Sequence, residues 1–323
     1  MILVPVAAFA IAVTVTPLAG ELARRLGVLD RPGPFKVQLE PVPYFGGLAV
    51  FAAVAAVAGP SRPAVMVPLA LALALGLVDD GRGLSPGVRL ACEFGVGALV
   101  ALTVAGSGGM LGLAAVLVVV VLINAVNLLD GLDGMASGVG LASAAGFAAL
   151  VDGDGRRLAL ALGGALAGFL VHNRPPARIY LGDAGSYLLG AALAVLFVLA
   201  WSEGTRPGVP VAAIAMVAVP AGELAAAVLR RWAARRPLFT GDRDHVYDQL
   251  VRRGWPTIRT TLVFAAAQAG MGLLGVAAAR QGRVAAAAIV GAGALATLAA
   301  VVAGGFLRPA DADGPGPQGA RRP

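Results

Sequence analysis

Apolar residues in this chain fall into long runs separated by short polar segments. Eleven such runs lie near 2–19, 44–60, 64–78, 89–106, 110–127, 135–151, 157–172, 184–201, 208–229, 260–279 and 284–304. Most approach the roughly 20 residues needed to cross a hydrocarbon core of about 30 Å. Backbone groups in lipid must be satisfied within the chain, so the runs are expected to be helices rather than strands. Ala, Val, Leu and Gly dominate them, and small residues let membrane helices approach closely, which predicts a packed bundle. The expectation is an all-α polytopic membrane protein of about 11 transmembrane helices. Residues 1–306 are expected to form one integral-membrane domain. The Pro-, Gly- and Asp-rich tail 307–323 is expected to be disordered.

Composition agrees with that pattern. Of 323 residues, 58% are hydrophobic and 13% charged, and the mean hydropathy is +0.83. A soluble enzyme, a disordered chain and a disulfide scaffold are all excluded; Cys92 is the sole cysteine. The excess of basic residues, 25 against 18 acidic, would suggest nucleic acid in a soluble protein. Here those residues lie between apolar runs, so membrane orientation accounts for them better than a nucleic-acid partner. With the N-terminus outside, nineteen Lys and Arg fall on the inner side and six on the outer. That split predicts an N-outside, C-inside arrangement. Residues 1–19 are expected to remain as a span, because no basic segment precedes them.

The carboxylates are as lopsided as the arginines. On this arrangement the inner side holds most of them, and orientation alone does not require that. A divalent cation with phosphates would need such oxygen ligands beside basic loops. Asp79 and Asp80 end the third run. Adjacent carboxylates at a membrane edge cost energy unless a cation or proton compensates, so they are candidates for a proton acceptor or a metal site, or else mark a solvated helix end. Asn124, Asn127, Asp130 and Asp133 recur every three residues, with Gly131 and Gly134 among them. Three-residue spacing makes successive members neighbours on a helix, and their oxygens suit Mg²⁺. Pro175 and Pro176 stop the seventh run, and Gly182-Asp183-Ala184-Gly185-Ser186 opens the next. Asp183 could ligate a metal, cap that helix, or do both. The loop near 230–259 carries Arg243 and His245 among eight arginines; Arg suits phosphate oxygens, while a basic loop also suits anionic lipid. Lys36 is the single lysine of the chain.

Four segments in this order resemble the polyprenyl-phosphate N-acetylhexosamine-1-phosphate transferases, which include the phospho-MurNAc-pentapeptide translocases. The segments are Pro41–Gly47, Asp79–Asp80, Asn124–Gly134, and Tyr180–Ser186 with the preceding Asn-Arg-Pro-Pro. The resemblance spans about residues 20–260. It implies attack of a lipid phosphate, undecaprenyl or decaprenyl, on the β-phosphate of a UDP-N-acetyl sugar, with release of UMP and formation of a lipid-diphosphate sugar for cell-envelope glycans. It implies Mg²⁺, with Mn²⁺ as the alternative, held by Asp183 and Asn127. Asp79 and Asp80 would lie beside the lipid phosphate, Asp79 as base, and Asp130 would support the centre. Gly131, Asp133 and Tyr180 would hold the uracil. Lys36 and Arg89 would neutralise phosphate, and Arg243 and His245 would meet the diphosphate or the sugar. GlcNAc is the expected sugar, the plasma membrane the expected location with the site facing the cytoplasm, and a homodimer an assembly open to such proteins. One segment departs: family members usually carry His-x-His-His in the last loop, where this chain reads His245-Val246-Tyr247-Asp248. That difference argues against the MurNAc-pentapeptide branch. It also leaves open a homologue that binds nucleotide sugar without turnover. Glu93 and Glu223, inside or at the ends of runs, leave open a transporter, although transporters gather their polar groups near the midplane.

Overall fold

The computed structural model describes residues 1–31, 40–106, 109–237 and 244–307. The expectations for Lys36, Arg243 and the tail 308–323 therefore lie outside the described residues. Among those described, thirteen helices and one short β pair occur. The helices are α1 (Leu3–Leu26), α2 (Gly46–Ala58), α3 (Pro63–Arg82), α4 (Pro86–Thr103), α5 (Gly109–Leu129), α6 (Met135–Leu150) and α7 (Gly153–Asn173). They continue with α8 (Gly182–Ser202), α9 (Val209–Ala215), α10 (Ala218–Ala233), α11 (Val246–Arg252), α12 (Thr257–Ala278) and α13 (Arg283–Ala303). Strands β1 (Leu29–Asp30) and β2 (Val42–Pro43) pair antiparallel, with Leu29 opposite Pro43 and Asp30 opposite Val42.

Each of the eleven apolar runs is helical. By length and apolar composition seven helices can cross a membrane, or eight if the bent pair α9 and α10 is one span. The count falls below eleven for physical reasons. At about 1.5 Å per residue, 13-residue α2 and 16-residue α6 fall short of a core about 30 Å thick. Helix α7 is 21 residues long but begins with Asp154, Arg156 and Arg157. The protein is a multi-pass membrane protein.

Helix α8 forms the axis of the bundle. It is buried along nearly its whole length and packs against α2, α3, α5, α6, α7 and α9. A helix apolar all round belongs in such a position. Small residues bring its neighbours close: a Cβ on Gly76 of α3 would collide with the backbone of Asp183 and Ala184. That approach carries the end of α3 onto the start of α8, where the polar groups gather.

The run 208–229 is two helices bent by 61°. Pro220 explains the break. It has no N–H, and its ring would clash with the carbonyl four residues earlier, at Met216. A break among apolar helices frees backbone groups that are costly to leave unpaired. Gln268 of α12, fully buried, takes up two of them: its Oε1 accepts from Val219 N at 3.0 Å, and its Nε2 donates to Ala215 O at 3.0 Å.

Candidate active site

The site begins at the last turn of α3. Both Asp80 oxygens accept backbone N–H groups at the start of α8, from Asp183 at 2.9 Å and Ala184 at 3.1 Å. The first amides of a helix have no partner within it and favour an anion. Asp80 thus caps α8 from another helix, and Asp183 does not cap it with its own side chain. Gly182 makes the contact possible: its φ is +74°, and an added Cβ would lie 2.7 Å from Asp80 Oδ2. Asp79 faces elsewhere. Its Oδ2 accepts from the Tyr187 hydroxyl at 2.6 Å, and its Oδ1 accepts from Leu84 N at 2.6 Å.

The last turn of α5 meets this corner. Asn127 Nδ2 donates to Asp183 Oδ1 at 2.6 Å and to Ser186 Oγ at 3.2 Å. Asp130 follows just beyond the helix. Loss of solvent, then the negative charges of Asp183, Asp80 and Asp133, push its carboxyl well above the usual range. Asp79, Asp80, Asn127, Asp130 and Asp183 are thus brought together at one end of α3, α5 and α8. Arg89, near the start of α4, lies against the Tyr187 hydroxyl and within electrostatic reach of Asp79 and Glu93.

The residues expected around a uracil form an adjoining group. Asp133 Oδ2 accepts from Ala177 N at 2.9 Å, and its carbonyl accepts from Thr261 Oγ1 at 3.0 Å. Burial raises the Asp133 carboxyl. Burial and the nearby charges of Asp133, Asp30 and Asp130 also raise the Tyr180 hydroxyl. Tyr180 sits 6.1 Å, centre to centre, from the ring of Tyr44, whose hydroxyl donates to Asp30 at 2.9 Å. Two of the four motif segments are joined through the backbone: Tyr180 N donates to Pro43 O, Gly46 N to Tyr180 O and Gly47 N to Leu181 O. Asn173 braces the group from behind, accepting from Gly134 N and Ser137 Oγ and donating to Ile179 O.

His245 reaches this region through its neighbour. Its Nδ1 lies 3.0 Å from Glu223 Oε1, which also accepts from Val246 N at 2.9 Å. Its ring stacks on Tyr247 at 5.2 Å. The Tyr247 hydroxyl donates to Leu128 O at 2.6 Å, and its ring covers Gly131 so closely that a Cβ there would overlap it. Tyr247, in the altered histidine run, is therefore a contact of the Gly131 turn. Sequence reasoning did not select Tyr187, Asn173, Tyr247 or Glu223 as site residues. Tyr187 carried a signal, since it lies four residues after Asp183 and so on the same helix face; the others meet partners far away in sequence.

Among the described residues no three His, Cys, Asp or Glu side chains form a group that could hold a metal. The donor set fits a different kind of ion site. Carboxylates this close repel phosphates as well as one another unless a cation offsets them. Mg²⁺ needs few protein ligands because it keeps waters and substrate oxygens. Asp183 and Asn127 supply two adjacent oxygen-bearing groups. The Asn127 amide now presents its nitrogen to Asp183, and sharing a cation takes the amide oxygen instead.

An apolar groove of about 420 Å³ between α1, α6 and α7, lined by residues such as Phe9, Leu141 and Gly164, includes none of these polar groups.

Comparison with known proteins agrees with the geometry. Residues 63–201 match the model of "Glycosyl transferase family 4". That segment contains Asp79, Asp80, Asn127, Asp130, Asp133 and Asp183. A Bacillus subtilis protein named "Probable undecaprenyl-phosphate N-acetylglucosaminyl 1-phosphate transferase" is 29% identical over 265 residues, covering 74% of each chain. The decaprenyl-phosphate N-acetylglucosaminephosphotransferase of Mycobacterium leprae is 29% identical over 302 residues, covering 77% of this chain and 76% of that one. A phospho-N-acetylmuramoyl-pentapeptide-transferase of Moorella thermoacetica is 36% identical over 146 residues, 44% of each chain. The chain belongs to glycosyl transferase family 4, among the polyprenyl-phosphate N-acetylhexosamine-1-phosphate transferases, and is a membrane phosphoglycosyl transferase.

Proposed function

We propose that this enzyme transfers N-acetylglucosamine 1-phosphate from UDP-N-acetylglucosamine to a polyprenyl phosphate. A phosphate oxygen of the lipid attacks the β-phosphorus of the nucleotide sugar. The bond between that phosphorus and the oxygen bridging to the α-phosphate breaks, and UMP leaves with the bridging oxygen. The product is a polyprenyl-diphosphate sugar for cell-envelope glycan synthesis. The observation that carries this reading is the meeting of Asp79, Asp80, Asn127 and Asp183 at one corner of three helices. The names of the two N-acetylglucosamine-transferring relatives support the choice of sugar.

Phosphoryl transfer depends on positioning and charge neutralisation more than on covalent help from the protein. In this reading Asp183 and Asn127 would hold Mg²⁺, or Mn²⁺ in its stead, and the ion supplies charge neutralisation at the diphosphate when bound. Asp80 fixes the start of α8 and so the direction of Asp183. Asp79 lies beside the lipid phosphate, oriented by Tyr187. A phosphate monoester is already largely ionised near neutral pH, its second pKa being about 6, so Asp79 steers the nucleophile rather than having to deprotonate it fully. Asp130, placed beside Asp183 and Asp80, supports the centre. Arg89 meets phosphate oxygens, joined by Lys36. Asp133, Gly131 and Tyr180 hold the uracil, while His245 and Arg243 meet the diphosphate or sugar. The site faces the cytoplasm at the plasma membrane, with the chain N-outside, with eleven crossings where α2, α6 and α7 span by packing against their neighbours, and with homodimers allowed.

The test is UMP release by the purified protein in detergent with UDP-N-acetylglucosamine, polyprenyl phosphate and Mg²⁺. Release is expected to require the lipid, to stop with EDTA, to return with Mg²⁺, and to fall by about two orders of magnitude or more in Asp183→Asn. Lipid-independent release, or none with any UDP-N-acetyl sugar from folded protein, rejects the reading.

A further inference from the structure

Glu93 has no part in the steps above, yet it is fully buried in α4. One oxygen accepts from Asn124 Nδ2, and Asn124 also donates to Val120 O at 2.9 Å. The other oxygen has no hydrogen-bond partner and stands 3.6 Å from Arg89 Nε, one turn back on the same helix. A carboxylate in apolar surroundings is costly even when paired, and an apolar residue would stabilise the helix better. The residue is therefore better explained by what it does to Arg89. That guanidinium lies against the Tyr187 hydroxyl and near Asp79, with Asp80, Asp130 and Asp183 beyond. Without restraint it would be drawn onto that carboxylate group, and its donors would be used up there.

We propose that Glu93, held by Asn124, is a positioning residue that keeps the Arg89 guanidinium at the edge of the acidic group, ready for the phosphate of the lipid acceptor. The inference rests on the reading that Asp79 and Arg89 face that phosphate. Glu93→Gln keeps the shape and an acceptor for Asn124 but removes the charge that holds Arg89. The Michaelis constant for polyprenyl phosphate should then rise about five-fold or more. That for UDP-N-acetylglucosamine should stay within about two-fold. Glu93→Asp should recover part of the loss. In an Arg89→Lys background Glu93→Gln should add little, because the two act as one unit. The thermal shift produced by polyprenyl phosphate, which needs no turnover, should shrink in the same order.

Three results overturn the proposal: an unchanged lipid constant in Glu93→Gln, equal effects on both substrates together with a fall in thermal midpoint, or a full additional loss in the Arg89→Lys background. Wild-type protein that releases no UMP from any UDP-N-acetyl sugar instead rejects the function itself, and the inference with it.

Discussion

Single side chains at this site carry stability and function in different proportions. Asp133 is a case where the two oppose each other. Its folded-state pKa is raised by burial, so the folded protein binds the proton more tightly than the unfolded chain does. The resulting contribution to stability is present below the ordinary Asp pKa and lost as pH rises through the folded value. Asp133→Asn keeps an oxygen for Ala177 N–H and removes the buried charge. It is expected to hold or raise the thermal midpoint at pH 8 while weakening UMP release. A lower midpoint with activity intact would reverse that assignment. Tyr187→Phe removes the hydroxyl bound to Asp79 and should cost about 1 kcal/mol of stability, read by thermal denaturation, with a larger proportional loss of turnover. The polar residues themselves were legible in the sequence because carboxylates and amides stand out against apolar runs. Their partners were not: nothing near Asp80 announces that both its oxygens serve backbone amides about a hundred residues later.

At the scale of helices, the sequence shows where the apolar segments lie but not how they end or bend. All eleven runs became helices, yet the ninth contains the 61° break. Pro220 gave the local reason, while Pro17 and Pro68 lie inside continuous helices. Tertiary partners make the difference, and Gln268 is the partner at the break. Gln268→Leu is expected to leave Val219 N–H and Ala215 C=O unpaired and to destabilise the protein by about 2 kcal/mol or more. The check is the midpoint of thermal unfolding in detergent. Because α10 carries Glu223, which holds His245, the same variant should loosen the loop that follows. Short α11 was invisible to a search for apolar runs. Seven residues are too few for a periodic signal, and it is held by Tyr247, Val246 and Leu250 packing with Leu129, Met135 and Phe264.

For the whole molecule, membrane class and family were readable, because hydropathy and motif order survive without coordinates. The number of crossings was not, since α2, α6 and α7 are too short or too charged to qualify alone and depend on the helices around them. The orientation proposed from the arginine distribution can be checked directly. In a Cys92→Ala background, a cysteine at Thr205 is expected to react with a membrane-impermeant maleimide on intact cells. One at Ala233 should react only after permeabilisation. The opposite pattern would turn the active corner to the outside.

The cap that Asp80 places on α8 also bears on how substitutions at the acidic pair are to be read. Replacing Asp79 takes away the acceptor of the Tyr187 hydroxyl and of Leu84 N–H but leaves the cap on α8 in place. Replacing Asp80 releases two helix amides and the contact with the left-handed Gly182 turn at once, and Asp183 loses its aim. A mutational scan would rank position 80 among the most sensitive in the chain, even with its carboxylate moving no proton and touching no phosphate. Lost activity at 80 therefore reports first on architecture, while lost activity at 79 with the cap intact bears on the role proposed for that carboxylate.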